Sequence, residues 1–72
     1  MLNTEGRHPS TQHFTKLFEF EHLREDLRPV SQACAELAQL MIDRLADGPE
    51  LSAGLRKLLE AKDCFVRAAL DQ

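Results

Sequence analysis

Pro49–Leu70, PELSAGLRKLLEAKDCFVRAAL, decides the fold. Leu51, Leu55, Leu58, Leu59, Phe65, Val66 and Ala69 fall on one side when each residue advances about 100°, the period of an amphipathic helix. Twenty-two such residues make a helix roughly 33 Å long. Gly48-Pro49 suits its start, because proline at the first helical position gives up only an N–H that had no partner there. An apolar stripe this wide needs something packed on it.

The segment before it supplies a partner. Leu27, Val30, Cys34, Leu37, Ala38, Met41 and Leu45 repeat at helical spacing, with Pro29 in the first turn, and predict a helix over 27–46. Asp47-Gly48-Pro49 predicts a tight reversal, with Gly48 in the left-handed conformation that ends one helix before the next opens. Two helices joined this closely pack antiparallel. Ala33, Ala38, Ala53, Gly54 and Ala61 would let their backbones approach.

Upstream the pattern thins. Residues 1–9 are polar, contain Gly6 and Pro9, and read as a flexible tail that buries little. Residues 10–22 read as a short helix capped by Ser10, with Phe14, Leu17 and Phe18 on one face, or as an extended segment in which Phe18, Phe20 and His22 alternate. The expected fold class is therefore all-α: a single domain, 1–72, built as an antiparallel helical hairpin with a short N-terminal helix. A chain of 72 residues is near the size at which one core barely offsets chain entropy, so assembly as a homo-oligomer is expected.

Composition narrows the function classes. A net charge of -3 offers no general attraction to a nucleic-acid backbone, so DNA and RNA duplexes are not expected partners. No run approaches a membrane span and no signal peptide opens the chain, which together with two cysteines outside any metal-ligand spacing suits a reducing cytoplasm. Cys34 and Cys64 read as small apolar fillers, and no disulfide is expected. His8, His13 and His22 match no metal-binding pattern, and the three glycines stand singly, without a phosphate loop. No metal, cofactor or catalytic constellation is expected, and the chain does not read as an enzyme.

Binding chemistry is present. Phe18, Phe20, His22, Arg24 and Arg28 cluster near the start of the second helix, pairing aromatic faces that can stack on a base with guanidinium groups that can hold phosphate. The plain alternative for the phenylalanines is core packing. Lys62 falls inside the apolar stripe of the last helix, where it must snorkel outward, pair with a carboxylate or meet a ligand. Arg56, Glu60, Asp63 and Arg67 stand three or four residues apart and can form a solvated ladder.

The stretch ELAQLMIDRLADGPELSAGLRKLLEAKDCFVRAAL, with the F.F.H of Phe18, Phe20 and His22 upstream, resembles a known family. It is similar to the helical-hairpin domain of small phage proteins that sequester cyclic nucleotide immune signals, the anti-CBASS and anti-Thoeris sponges. Leu37-Ala38, Leu45, Glu50-Leu51-Ser52, Lys57-Leu58, Glu60-Ala61 and Val66-Arg67-Ala68 fall in register without a gap. Arg56 stands where the family often has Thr, Phe20 where it has Tyr, and Lys62-Asp63 where it has an apolar pair.

The resemblance implies a protein of the host bacterial cytoplasm that binds a cyclic di- or trinucleotide, or a cyclic ADP-ribose isomer, without cleaving it. It also implies homo-oligomers, often hexamers, with pockets between protomers. On that reading Phe20 and Phe18 would stack on a base, Arg24 and Arg28 would neutralise phosphate, and His22 would donate a hydrogen bond. Arg56 and Arg67 become second-pocket candidates. The alternative is a helical oligomerisation or protein-interaction module with no small-molecule ligand.

Overall fold

A computed structural model describes residues 1–71, and they are all-α. Three helices occur among them: α1 at Pro9–Gln12, α2 at Arg28–Arg44 and α3 at Pro49–Leu70. α3 has the bounds its punctuation predicts, with Pro49 in its first turn, Glu50 beside the positive end of the helix dipole and Arg67 in its last turn. α2 is slightly shorter than expected, because Leu45 already has extended backbone. Gly48 is extended too, with φ 163°, so the expected left-handed turn is not used. The positive φ falls instead at Gly6, +77°, inside the turn in which the Arg7 N–H donates to the Thr4 carbonyl.

α2 and α3 pack on each other, and the N-terminal segment lies over one side of the pair. Phe14, Phe18, Ala38, Ile42 and Leu55 are sealed from solvent and join Leu2, Ala35 and Leu51 in one core. Two expectations about the first 22 residues are corrected here. Residues 1–9 do not lie free: Leu2 and Thr4 are buried, and the Asn3 N–H donates to Gln39 on α2 at 2.7 Å. The short helix is capped by His8 and not by Ser10, since the His8 ring accepts from the Ser10 N–H at 3.0 Å, and the helix ends at Gln12. Successive turns then carry the chain through Phe14 and Phe18 with no strand.

The apolar stripe of α2 is also rotated from the expected one. Ser31, Cys34, Ala35, Ala38 and Ile42 face the core, whereas Leu37 and Leu45 are exposed. On α3, Leu51 and Leu55 are buried, Leu58 and Leu59 are half-buried, and Phe65 is 55% exposed against expectation. Ala33, Ala53 and Gly54 face outward, which leaves Ala38 as the fully buried small contact. Cys34 is buried as expected and Cys64 is exposed; both thiols are free. Burial pushes the Cys34 thiol above its usual range, against the pull of the Lys62 charge.

Ser31 is fully buried and its hydroxyl finds no partner among the described groups. An unmet buried hydroxyl is a cost, so Ser31→Ala is expected to raise stability by about 1 kcal/mol. Urea denaturation reads this directly, and a lower midpoint for the variant would mean that the hydroxyl contributes a bond.

A polar lock joins the N-terminal segment to the end of α2. The Asp47 carboxylate accepts from the Thr11 hydroxyl at 2.6 Å, from the His8 N–H at 3.1 Å and from Arg7 Nε at 3.1 Å. These bonds, Thr11 foremost, hold its pKa at about 2 against an ordinary 3.8. Arg7 also donates to the Ile42 carbonyl and, at 2.7 Å, to that of Leu45, so a guanidinium from far away in the chain caps α2. A carboxyl depressed in the folded state contributes stability above its unfolded pKa and loses it as pH falls through the folded one. Asp47→Ala should therefore lower the melting temperature at neutral pH, and its deficit should shrink as pH falls from 3.8 to about 2. A deficit unchanged across that window would show that ionisation of Asp47 plays no part.

Candidate functional site

The turns after Phe14 bring Lys16, Glu19 and His22 against the outer side of α3, where its helical spacing presents Lys62, Asp63 and Arg67. Together they line an open cleft of about 390 Å³, floored by Leu17, Leu23 and Val66. Its size is within the range of small-molecule sites. Three permanent cations face two carboxylates there, and His22 adds a ring that can donate or accept.

Lys62 is the best-anchored of these groups. Its side chain is 14% exposed, and its ammonium lies 3.1 Å from the Asp63 carboxylate and 3.3 Å from the Leu17 carbonyl. Of the three outcomes open to it, snorkelling outward, a carboxylate partner or a ligand, the structure shows the carboxylate, and the same ammonium is held at the cleft wall. Among the described residues the Arg67 guanidinium reaches only the Cys64 sulfur, at 3.4 Å, which leaves most of its donors unused by them. Asp63 is engaged by Lys62, and Arg56 lies over the Phe14 ring at 5.5 Å from its centre, so the expected ladder does not form among the described residues.

The other expected site residues are dispersed. Phe18 has no exposed surface and packs beside Phe14, ring centres 6.5 Å apart, so it cannot stack on a ligand without leaving the core. Its expected stacking role is corrected. Phe20 is half-buried beside Leu2 and Ala35, outside the cleft. Arg24 forms a two-pronged pair with Asp26, at 3.2 and 3.0 Å, and Arg28 Nε donates to the Leu23 carbonyl at 2.8 Å. Only His22 and Arg67 of the expected set meet in one cleft.

No family model, curated protein or solved structure matches the chain. Among the described residues, no three His, Cys, Asp or Glu side chains are gathered where they could hold a metal ion. No helix among them is long and apolar enough to cross a membrane. Lys16 and Glu19 are wall residues that sequence reasoning missed, because a single charge in a turn carries no periodic signal.

Proposed function

We propose that the protein binds and sequesters a cyclic nucleotide immune signal without cleaving it, as a phage anti-defence protein acting in the bacterial cytoplasm. The observation that carries this reading is the convergence of Lys16, His22, Lys62 and Arg67 on a cleft with an apolar floor. Cations at the wall suit phosphate, and Leu17, Leu23 and Val66 suit the face of a base or ribose. The in-register resemblance over Glu36–Leu70 supports the same class of ligand, a cyclic di- or trinucleotide or a cyclic ADP-ribose isomer.

In this reading α2 and α3 form an antiparallel hairpin, supported by their mutual packing across a four-residue link. The hairpins assemble into a homo-oligomer. Phe20, Arg24, Arg28 and Arg56 would meet ligand only in a pocket completed by a neighbouring protomer.

Native mass spectrometry with cyclic di- and trinucleotides and cyclic ADP-ribose isomers tests the proposal. The expected result is a discrete oligomer carrying intact ligand, recoverable unchanged after denaturation. An oligomer that ignores every ligand would overturn it in favour of a helical interaction module. The exposed apolar groove between Leu37 and Met41 of α2, Leu45 just after it and Leu58 of α3 favours that second reading.

A further inference from the structure

One side of the α2–α3 pair is covered by the N-terminal segment, and another is bare and carries two hollows, one strongly apolar and the other edged by Asp26. Near the α2–α3 link there is a groove of about 450 Å³ between Leu37 and Met41 on α2, Leu45 just after it, and Gly54 and Leu58 on α3. Farther along it continues as a cleft of about 430 Å³ at Val30, Phe65 and Ala68. Val30, Leu37 and Met41 share one face of α2, so the two hollows lie on the same side of the molecule. Leu37, Leu45 and Phe65 are each about half exposed there, at 46, 49 and 55%.

The α3 edge of this face has a heptad order. Leu51, Leu58 and Phe65 recur every seven residues, and Gly54, Ala61 and Ala68 follow each of them by three. Large and small side chains therefore alternate along a single seam. Glycine is a poor helix former, and a Cβ placed on Gly54 would meet nothing within 4 Å, so nothing within the chain requires glycine there. Close approach of another helix is a use for it, as it is for the alanines at 61 and 68.

The alternation identifies that helix. Laid antiparallel on a second α3, with the two-fold axis between Leu59 and Glu60, the seam sets Gly54 against Phe65 and Leu58 against Ala61, and the symmetry repeats each pair; Ala68 then comes over the edge of Leu51, which is itself held in the chain's own core. In these layers each large side chain faces a small one. A parallel pairing in register would set Leu58 on Leu58 and Gly54 on Gly54, large on large and gap on gap. We infer that α3 pairs with α3 of a second copy across this face, antiparallel, with Phe65 of each chain seated on Gly54 of the other. The inference rests on the self-association part of the functional reading and not on the ligand.

Sedimentation velocity over a concentration series tests it with Gly54→Leu, Phe65→Ala and the double variant. Gly54 and Phe65 are both exposed in the single chain, and leucine favours helix, so each variant should keep its helix content by circular dichroism. Gly54→Leu should weaken self-association about tenfold or more, because leucine then confronts phenylalanine. The double variant, which turns that layer into a leucine–alanine pair like Leu58 with Ala61, should recover most of the loss. A wild-type monomer at high micromolar concentration would overturn self-association itself and leave the face to a helix of another protein. A wild-type oligomer indifferent to Gly54→Leu would overturn this face alone. Disruption without recovery in the double variant would overturn the antiparallel register.

Discussion

Phe18→Ala is expected to cost about 3 to 5 kcal/mol, the range for deleting a fully buried aromatic ring. Phe18 has no exposed surface and lies in the core formed with Phe14, Ala38, Ile42 and Leu55. A domain of this length holds about 4 to 11 kcal/mol of stability in all, so the variant should lose between roughly a third and the whole of that margin. Chemical denaturation followed by circular dichroism measures the loss. Phe18→Leu keeps most of the volume and should fold, and on the present assignment it binds cyclic nucleotide as the wild type does. Normal stability together with lost binding in either variant would return Phe18 to the ligand site and remove it from the core.

The second large effect belongs to the cleft. If the protein binds a cyclic nucleotide as proposed, Arg67→Ala and Lys16→Ala should each weaken that binding about tenfold to a hundredfold, the loss of one charge-assisted contact to phosphate. Both residues line the cleft and neither forms an ion pair within 4 Å among the described residues, so helix content should not change. Arg28→Ala, whose guanidinium donates to the Leu23 carbonyl and is not among the residues that line the cleft, should leave the affinity of this cleft nearly at the wild-type value. Titration calorimetry ranks the three. A large loss at Arg28 with none at Arg67 or Lys16 would move the site to the start of α2.

How much was legible in the sequence follows from what kind of signal each part leaves. The bounds of α3 were readable because Gly48-Pro49 punctuates its start and its apolar spacing is long and regular. The face of α2 was not, because Leu37, Leu40, Met41 and Leu45 are apolar on one side while Ala35, Ala38 and Ile42 are apolar on the other. Periodicity finds both sectors and does not say which one the N-terminal segment will cover. That segment was misread for a related reason. Leu2, Thr4 and Arg7 are held by contacts to residues far along the chain, and a side chain bonded to a distant carbonyl leaves no local pattern.

The candidate site was legible in kind and not in place. Basic and aromatic groups near α2 were visible, yet Phe18 went to the core and Arg24 to Asp26. His22 and Arg67 do share a cleft, with Lys16 and Lys62 beside them. Lys62 was conspicuous as a charge in an apolar stripe, and its carboxylate neighbour accounts for its place there.

The lock at Asp47 bears on how far the chain can be dissected. Arg7 closes the last carbonyls of α2, and His8 and Thr11 hold the carboxylate just before α3 begins. A fragment cut before Arg28 would keep both long helices in sequence. It would lose the cap on the first, the anchor of the link between them, and the phenylalanines that fill the space over Ala38 and Ile42. The pair of long helices is thus a part of this molecule and not a module that can be lifted out of it. Grafting it elsewhere would mean carrying the first twenty residues along.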